Sequence, residues 1–189
     1  MRESSAKSPA GSGSLAGSLL LAHPSLREPT FRRTAILLSS HDEEGAMGVV
    51  LNRPLKRVLG DLGGDFVLGP LAQVPLFCGG PVDPQQLLLC AWRPHSEEEG
   101  FKLYFGIDAA RAAELVGEPE VHLRAFLGYA GWTGGQLEGE LERDTWVVSD
   151  LVADLLTQPP DDKLWRYLLG GIAPHWKLLA GEPDDLTLN

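Results

Sequence analysis

The chain has 189 residues, of which 43% are apolar, and this supplies a real core and excludes a chain that is disordered throughout. Its formal net charge is −10, so the surface as a whole repels phosphate backbones and generic nucleic-acid binding is disfavoured. The charge is uneven. Residues 1–33 carry five Lys or Arg against two acids, whereas residues 134–189 carry four against eleven, so anions are drawn to the N-terminal part.

Cysteine content and hydropathy indicate the compartment. Cys78 and Cys90 are the only cysteines, which is too few for a disulfide framework and fits a reducing environment. The longest apolar run near the N-terminus, residues 19–22, is shorter than a signal-peptide core of about 7–15 residues or a membrane span of about 20. We therefore expect a cytoplasmic protein with no membrane association.

The first elements in chain order are a tail and a set of strands. Residues 1–16 contain mostly Ser, Gly, Ala, Pro and scattered charges, and they predict a disordered tail before a single domain over residues 17–189. A strand is predicted over residues 18–23, ended by Pro24. Residues 34–38 and 47–51 are apolar and β-prone, typical of strands buried on both faces, and the polar residues 41–45 between them predict a hairpin loop.

The second half of the chain mixes strands with helices. Strands are predicted over residues 85–92, 101–105 and 121–127. Asp108 can cap a helix with one apolar face, formed by Ala109, Ala112, Ala113 and Val116, and further helices are predicted over residues 149–156 and 161–169. Because strands and helices do not alternate regularly, we predict an α/β (α+β) domain whose sheet is mixed, mainly antiparallel and bent, with helices packed on it.

Four segments carry a family pattern. They are Gly17, Leu20, Ala22, Pro24, Phe31 and Arg32; His41, Gly45-Ala46, Gly48 and Asn52-Arg53-Pro54; Gly79-Gly80-Pro81-Val82; and Gly128-Tyr129-Ala130-Gly131-Trp132 with Gly135-Gln136-Leu137-Glu138 and Trp146. Their order and types resemble the YqgE/AlgH family. The sequence departs from the pattern at Thr133-Gly134, where the family often has Gly-Pro, and beyond Trp165.

The resemblance implies an α/β domain with two structural lobes and a bacterial cytosolic setting. It implies no catalytic residues, because the family's biochemical role is largely unassigned. Some members carry a transcriptional-regulator label, which implies DNA binding as one alternative.

The segment from Gly128 to Glu138 has two interpretations. Strand, Gly-rich corner and helix would follow one another, with Thr133 and Gln136 spaced as a capping box. Backbone N–H groups there could hold an anion, which would involve Gly131 and Gln136. The structural alternative, which we favour, is that Trp132 fills the core while Gly128, like Gly79, Gly80 and Pro81 upstream, allows tight packing.

Asn52 and Arg53 lie in a basic concentration that includes Arg32. A guanidinium there could bind a carboxylate or phosphate through its planar fork. Alternatively, Arg53 pairs with one of the many acidic residues, and Asn52 closes a turn before Pro54.

A thiol nucleophile would need a base beside it, and Cys78 has only distant candidates such as His41. A small buried hydrophobic role suits Cys78 better. The five histidines lack the short pair spacing of zinc sites, so we predict no metal and no cofactor.

These observations favour a non-enzymatic binding or regulatory module for a small anionic ligand or a protein partner. One alternative is a small hydrolase or transferase built around His41, Cys78 and Glu138. The other, direct DNA binding, requires the basic residues between Arg27 and Arg57 to share one face.

Overall fold

The computed structural model describes residues 4–5, 13–94, 101–152, 154–156, 158–173 and 175–176. The strands in these ranges are β1 Ser4–Ser5, β2 Leu19–Ala22, β3 Ala35–Asp42, β4 Gly45–Val50, β5 Pro54–Val58, β6 Pro75–Cys78, β7 Val82–Pro94, β8 Phe101–Ile107, β9 His122–Thr133 and β10 Trp146–Ser149. The α-helices are α1 Ala109–Leu115, α2 Gln136–Glu142 and α3 Asp162–Ile172, and 3-10 helices span Leu59–Leu62 and Gly64–Phe66.

Strand β9 joins two halves of one curled sheet. Its first part pairs with β7 and, in parallel, with β6, giving the order β1-β8-β7-β9-β6-β5. Its second part pairs with β4 and continues as β9-β4-β3-β2-β10. Every pairing among the described residues is antiparallel except β6 with β9. The prediction of a mixed, mainly antiparallel and bent sheet with packed helices is confirmed.

The core explains the continuous apolar runs. In β2, Leu19 and Leu21 belong to the main cluster, whereas Leu20 and Ala22 pack into a second cluster on the opposite face. The main cluster draws on both half-sheets and on α3, the second includes Leu137 of α2, and a third lies against α1. Burial on both faces, as predicted for these strands, is what a sheet covered from two sides requires.

The predicted hairpin loop over residues 41–45 is wrong in extent. Strand β3 runs to Asp42 and β4 begins at Gly45, so His41 lies within a strand, paired with Ala46. The turn needs only Glu43 and Glu44, because the Asp42 Oδ1 atom accepts the Glu44 N–H at 2.9 Å and tightens it.

The predicted corner at Gly128–Trp132 is also wrong. These residues continue β9 to Thr133, and the chain turns at Gly134 and Gly135, immediately before α2. Only half of the predicted capping box forms: the Thr133 N–H donates to Gln136 Oε1 at 3.1 Å, while the Thr133 hydroxyl donates to the same oxygen instead of capping the helix.

The glycine motifs form a close backbone crossing. A Cβ on Gly79 would lie 2.2 Å from the Gly128 carbonyl oxygen, and one on Gly80 would lie 2.2 Å from the Tyr129 carbonyl carbon. Gly128 has φ +71°, a conformation that L side chains rarely adopt. This crossing lies at the middle of β9, where the two half-sheets join.

The helices agree in part with the prediction. Asp108 caps α1 by accepting the Arg111 N–H, but the buried residues are Ala112 and Leu115, and Ala109 is exposed. Asp161 caps α3, which matches the predicted helix over residues 161–169. The helix predicted over residues 149–156 is wrong: Ser149 ends β10, and residues 154–156 form a turn. No helix in the described ranges is long and apolar enough to span a membrane.

The predicted tail, residues 1–16, lies largely outside the described residues and stays a prediction, as does the single domain that follows it. Within this stretch, the Ser14 hydroxyl donates to the His41 carbonyl at 2.6 Å, and the Leu15 N–H donates to His41 Nδ1 at 2.9 Å. Strand β1 adds two residues beside β8.

Candidate functional site

An open groove of about 610 Å³ lies between the start of β5, the end of β6 and the start of α3. It is lined by Asn52, Arg53, Pro54, Leu55, Cys78, Asp161, Asp162, Lys163 and Arg166, and we call it the Arg53 groove. Strands β5 and β6 bring Arg53 beside Cys78, because the Cys78 N–H donates to the Arg53 carbonyl at 2.9 Å. Helix α3 supplies the opposite side, more than 100 residues later in the chain.

Asn52 ties the elements around the groove together. Its side chain is buried, and its Oδ1 atom accepts the Ala35 N–H at 2.9 Å. Its Nδ2 atom donates to the carbonyls of Arg33 at 2.8 Å and Asp161 at 3.3 Å. The amide thus fastens β3, the loop before it and the cap of α3, so its observed contacts are structural.

Arg53 is held by the backbone and by one acid. Its Nη2 atom donates to the Arg32 carbonyl at 2.6 Å, and its Nη1 atom donates to the Asn52 carbonyl and to Asp162 Oδ1, both at 3.3 Å. A guanidinium carries five N–H donors. Within the described residues three of the five have acceptors, which leaves two for a ligand, on a fork that is already oriented.

The charges of the groove favour an anion. Arg53, Lys163 and Arg166 line it against two acids, Asp161 and Asp162. Asp161 accepts the Lys163 backbone N–H at 2.8 Å as the helix cap, and Asp162 is shared between Arg53 and Arg33, whose Nη1 atom lies 4.0 Å from its carboxylate. The acids are therefore engaged, while the side chains of Lys163 and Arg166 are exposed.

A second polar group lies at the other end of the sheet. We call it the α2 cluster; its members are His41, Trp132, Gln136, Glu138, Glu140 and Trp146. His41 Nε2 lies 2.7 Å from Glu138 Oε1, and Nδ1 accepts the Leu15 N–H. These bonds assign the neutral tautomer with its proton on Nε2. The pKa of the Glu138 carboxyl lies below its ordinary value near 4.5. The main cause is a hydrogen bond from the Glu138 backbone N–H, and the hydrogen bond with His41 is the next.

Glu140 is the centre of this cluster. Its Oε2 atom accepts the indole N–H groups of Trp132 at 2.9 Å and Trp146 at 2.7 Å. Its Oε1 atom accepts the Gln136 amide at 2.9 Å. The two indole rings pack edge to face at 6.0 Å, so this carboxylate joins α2 to the second core cluster.

The cluster does not assemble the catalytic group that the sequence left open. Cys78 pairs with Leu127 on β9, whereas the hairpin of His41 reaches β9 at Trp132, five residues or roughly 17 Å further along the strand. Both nitrogens of His41 are also engaged. Within the described ranges, no group of three or more His, Cys, Asp or Glu residues is placed to hold a metal ion.

The residues predicted to bind a ligand separate into two sets. Asn52, Arg53 and the Arg32 carbonyl meet at the Arg53 groove. Gln136, bonded to Glu140, belongs to the α2 cluster. Gly131 pairs with Met47 on the neighbouring part of β9, and a Cβ there would face Tyr129 and Val82. Trp132 is buried at 7% exposure, as expected of a core residue, and Gly79, Gly80 and Gly128 form the crossing, with Pro81 exposed beside it.

Sequence reasoning missed the contribution of α3 to the groove, and it missed Arg124. Arg124 falls in the strand predicted over residues 121–127, where it alternates with Leu123 and Ala125, but it is buried. The available signal was its position between Leu123 and Ala125 in an apolar run.

The family comparison agrees with the motifs. The AlgH-like family (DUF179) matches residues 19–176. The chain belongs to the AlgH-like family. It is similar to a UPF0301 protein of Streptomyces coelicolor, with 38% identity covering 93% of this chain and 96% of that one. It is also similar to a UPF0301 protein of Mycobacteroides abscessus, with 40% identity covering 92% and 88%.

Solved structures agree on the AlgH-like fold. A crystal structure of a Corynebacterium diphtheriae protein matches with a TM-score of 0.69 and 22% identity, covering 96% of this chain and 95% of that one. The solution structure of the AlgH protein from Pseudomonas aeruginosa matches with a TM-score of 0.66 and 24% identity, covering 94% and 98%. These likenesses concern the fold.

Proposed function

We propose that the protein is a non-enzymatic binding module that holds a small carboxylate- or phosphate-bearing ligand in the Arg53 groove. One observation carries the proposal: the Arg53 guanidinium is fixed by the carbonyls of Arg32 and Asn52 at an open groove, with two N–H groups still available. A fixed guanidinium loses little freedom when an anion binds, so more of the contact energy remains as affinity.

The surroundings of Arg53 support the same ligand class. Lys163 and Arg166 add two exposed cations to the groove of a chain whose net charge is −10. An anion that reached the groove would also compete with Asp162 for Arg53. We infer a regulatory or carrier role in the bacterial cytosol, and the free thiols of Cys78 and Cys90 are compatible with a reducing compartment.

The test compares Arg53→Ala with Arg143→Ala, which removes the same charge from an exposed arginine just after α2. Full-length protein is titrated calorimetrically with a panel of di- and tricarboxylates and phosphate monoesters at about 150 mM salt. We expect at least one probe to bind the parent, Arg53→Ala to weaken that binding by about tenfold or more, and Arg143→Ala to leave it unchanged. Equal affinity of Arg53→Ala and the parent would contradict the proposal.

Direct DNA binding does not follow as well from the groove. Arg32, Arg33 and Arg53 do lie together, but Arg33 and Arg53 both face Asp162, and the overall negative charge opposes a phosphate backbone. We expect no sequence-dependent, submicromolar binding of duplex DNA at about 150 mM salt in a fluorescence anisotropy assay. Such binding would shift the proposal from a small anion to a regulator that contacts DNA.

A further inference from the structure

Arg124 is the one charged residue in the described part of the chain that is buried, with 7% of its surface exposed. It lies in β9, and its guanidinium carbon sits 5.0 Å from the ring centre of Phe77 and 5.8 Å from that of Trp92. A guanidinium stacks well on aromatic faces because it is planar and weakly hydrated. The rings thus shelter the cation from water, but they do not neutralise it.

No carboxylate among the described residues pairs with Arg124. Its hydrogen bond goes to the Leu51 carbonyl, at 3.4 Å. More exposed arginines do have acids: Arg53 pairs with Asp162, and Arg111 pairs with Glu114. Burial without a counter-charge lowers the pKa of Arg124 to about 10, so the side chain is still a cation at neutral pH.

Trp92 provides an independent sign of a missing acceptor. Its indole N–H is buried and has no partner in the part of the chain that the structure describes. Elsewhere the core satisfies this group, since Trp132 and Trp146 donate to Glu140 and Trp165 donates to the Ala22 carbonyl at 2.9 Å. A buried N–H without an acceptor is uncommon in native proteins. Here it lies in the same part of the core as a cation that lacks an anion.

We propose that Arg124 and Trp92 form an anion-binding site that takes the carboxylate or phosphate group of a small ligand. The planar fork of Arg124 matches either oxyanion, and the indole N–H supplies a further donor. The site is distinct from the Arg53 groove, although it lies close by: Leu51 and Phe77, which contact Arg124, precede the groove residues Asn52 and Cys78. It does not depend on the function proposed for that groove.

The test uses inorganic phosphate and acetate as probes, with chloride at the same ionic strength as the reference. Because phosphate and acetate are also ligands expected for the Arg53 groove, every variant carries Arg53→Ala, and the full-length Arg53→Ala protein is the reference protein. The reference protein is compared with Arg124→Met, which removes the charge but keeps an unbranched apolar stem, and with Trp92→Phe, which removes the indole N–H but keeps an aromatic ring. Arg143→Ala is the matched control for the loss of an exposed arginine. Thermal melting and tryptophan fluorescence report binding, and circular dichroism reports folding. Phosphate and acetate titrated separately distinguish the two oxyanions.

We expect phosphate or acetate to raise the melting temperature of the Arg53→Ala reference protein relative to chloride. Arg124→Met should weaken the binding by about tenfold or more, Trp92→Phe should weaken it less, and Arg143→Ala should retain it. The proposal is overturned if the reference protein responds as it does to chloride, if folded Arg124→Met responds like the reference protein, or if Arg143→Ala loses the response as well. Should Arg124→Met fail to fold, an unchanged response in Trp92→Phe overturns the proposal and a weakened one supports it.

Discussion

The Arg53 groove and the α2 cluster are both built from charged side chains beside a helix. They differ in how many of their hydrogen-bonding groups already have a partner within the chain. In the α2 cluster, Glu140 accepts three side-chain donors and His41 uses both ring nitrogens. In the groove, Arg53 keeps two N–H groups free and stands beside two exposed cations. The two regions differ in charge, because the groove has three cations against two acids and the α2 cluster has two carboxylates, but charge alone does not show whether a partner is still missing. What distinguishes them is whether the folded chain already supplies the hydrogen-bond partners of these side chains.

The largest effect that tests this comparison is expected at Trp132. Trp132→Ala removes a buried ring and a donor to Glu140, so the free energy of unfolding should fall by about 3–5 kcal/mol. Trp132→Phe keeps a ring and loses the N–H, and it should cost about 1–3 kcal/mol. Denaturant unfolding measures both. If Trp132→Ala unfolds like the parent, the α2 cluster is not a structural unit and the contrast with the groove is broken.

Within the groove, Asn52 and Arg53 should behave differently. Asn52→Ala leaves one backbone N–H and two carbonyls without their buried partner, and should cost about 2–3 kcal/mol. Arg53→Ala removes a partly exposed ion pair, and should cost no more than about 1 kcal/mol while it weakens ligand binding. Thermal melts beside the calorimetric titration separate the two effects. A collapse of Arg53→Ala would mean that its charge belongs to a structural network and not to a binding site.

A smaller effect is expected from pH at the α2 cluster. Because the pKa of Glu138 is lower in the folded protein, folding gains stability above its ordinary value near 4.5 and loses it as pH falls through the lower folded value. The parent should therefore be more stable than Glu138→Gln at neutral pH, and the gap should close in acid. Melting temperatures between about pH 3 and pH 7 measure the gap. A gap that is constant across this range would show that ionisation of Glu138 does not contribute.

The smallest effect is expected from the N-terminal segment. Deleting residues 1–12 should change the melting temperature by no more than a degree or two, on a scale where about 1 kcal/mol corresponds to roughly 2–4 °C. Deleting residues 1–16 should lower it further, because this also removes the bonds from Ser14 and Leu15 to His41. Equal melting temperatures for both deletions would show that these bonds do not stabilise the α2 cluster.

Local patterns predicted much of the fold. Asp108 was recognisable as a helix cap from its position before an apolar helical pattern, and it accepts the expected backbone N–H. The helix predicted from residue 161 is also present, with Asp161 as its cap. The strand through Gly128 was missed because glycines between apolar segments usually mark a turn. Here the glycines permit a close backbone crossing within a continuing strand, which depends on residues 79–80, far away in the sequence.

The candidate site was also predictable only in part, because its residues come from distant parts of the chain. Arg53 was identified from a local concentration of basic residues, but its partner Asp162 lies 109 positions later, and no spacing rule connects them. Arg124 lies in a predicted strand of alternating pattern, and its burial results from packing against Phe77 and Trp92, both from other strands. Local sequence predicts what a residue can do, whereas tertiary packing decides which partners it finds.

The central position of β9 has a consequence for synthesis on the ribosome. Strands β4, β6 and β7 precede β9 in the chain and all pair with it, and the two half-sheets meet only along it. The half-sheet that contains β6 and β7 therefore cannot be completed until residue 129 has left the exit tunnel. The other half-sheet also needs residues 130–133, and its edge strand β10 arrives later still. Until then the growing chain exposes the β-prone apolar segments of β2, β3 and β4, which are a target for chaperones that bind nascent chains.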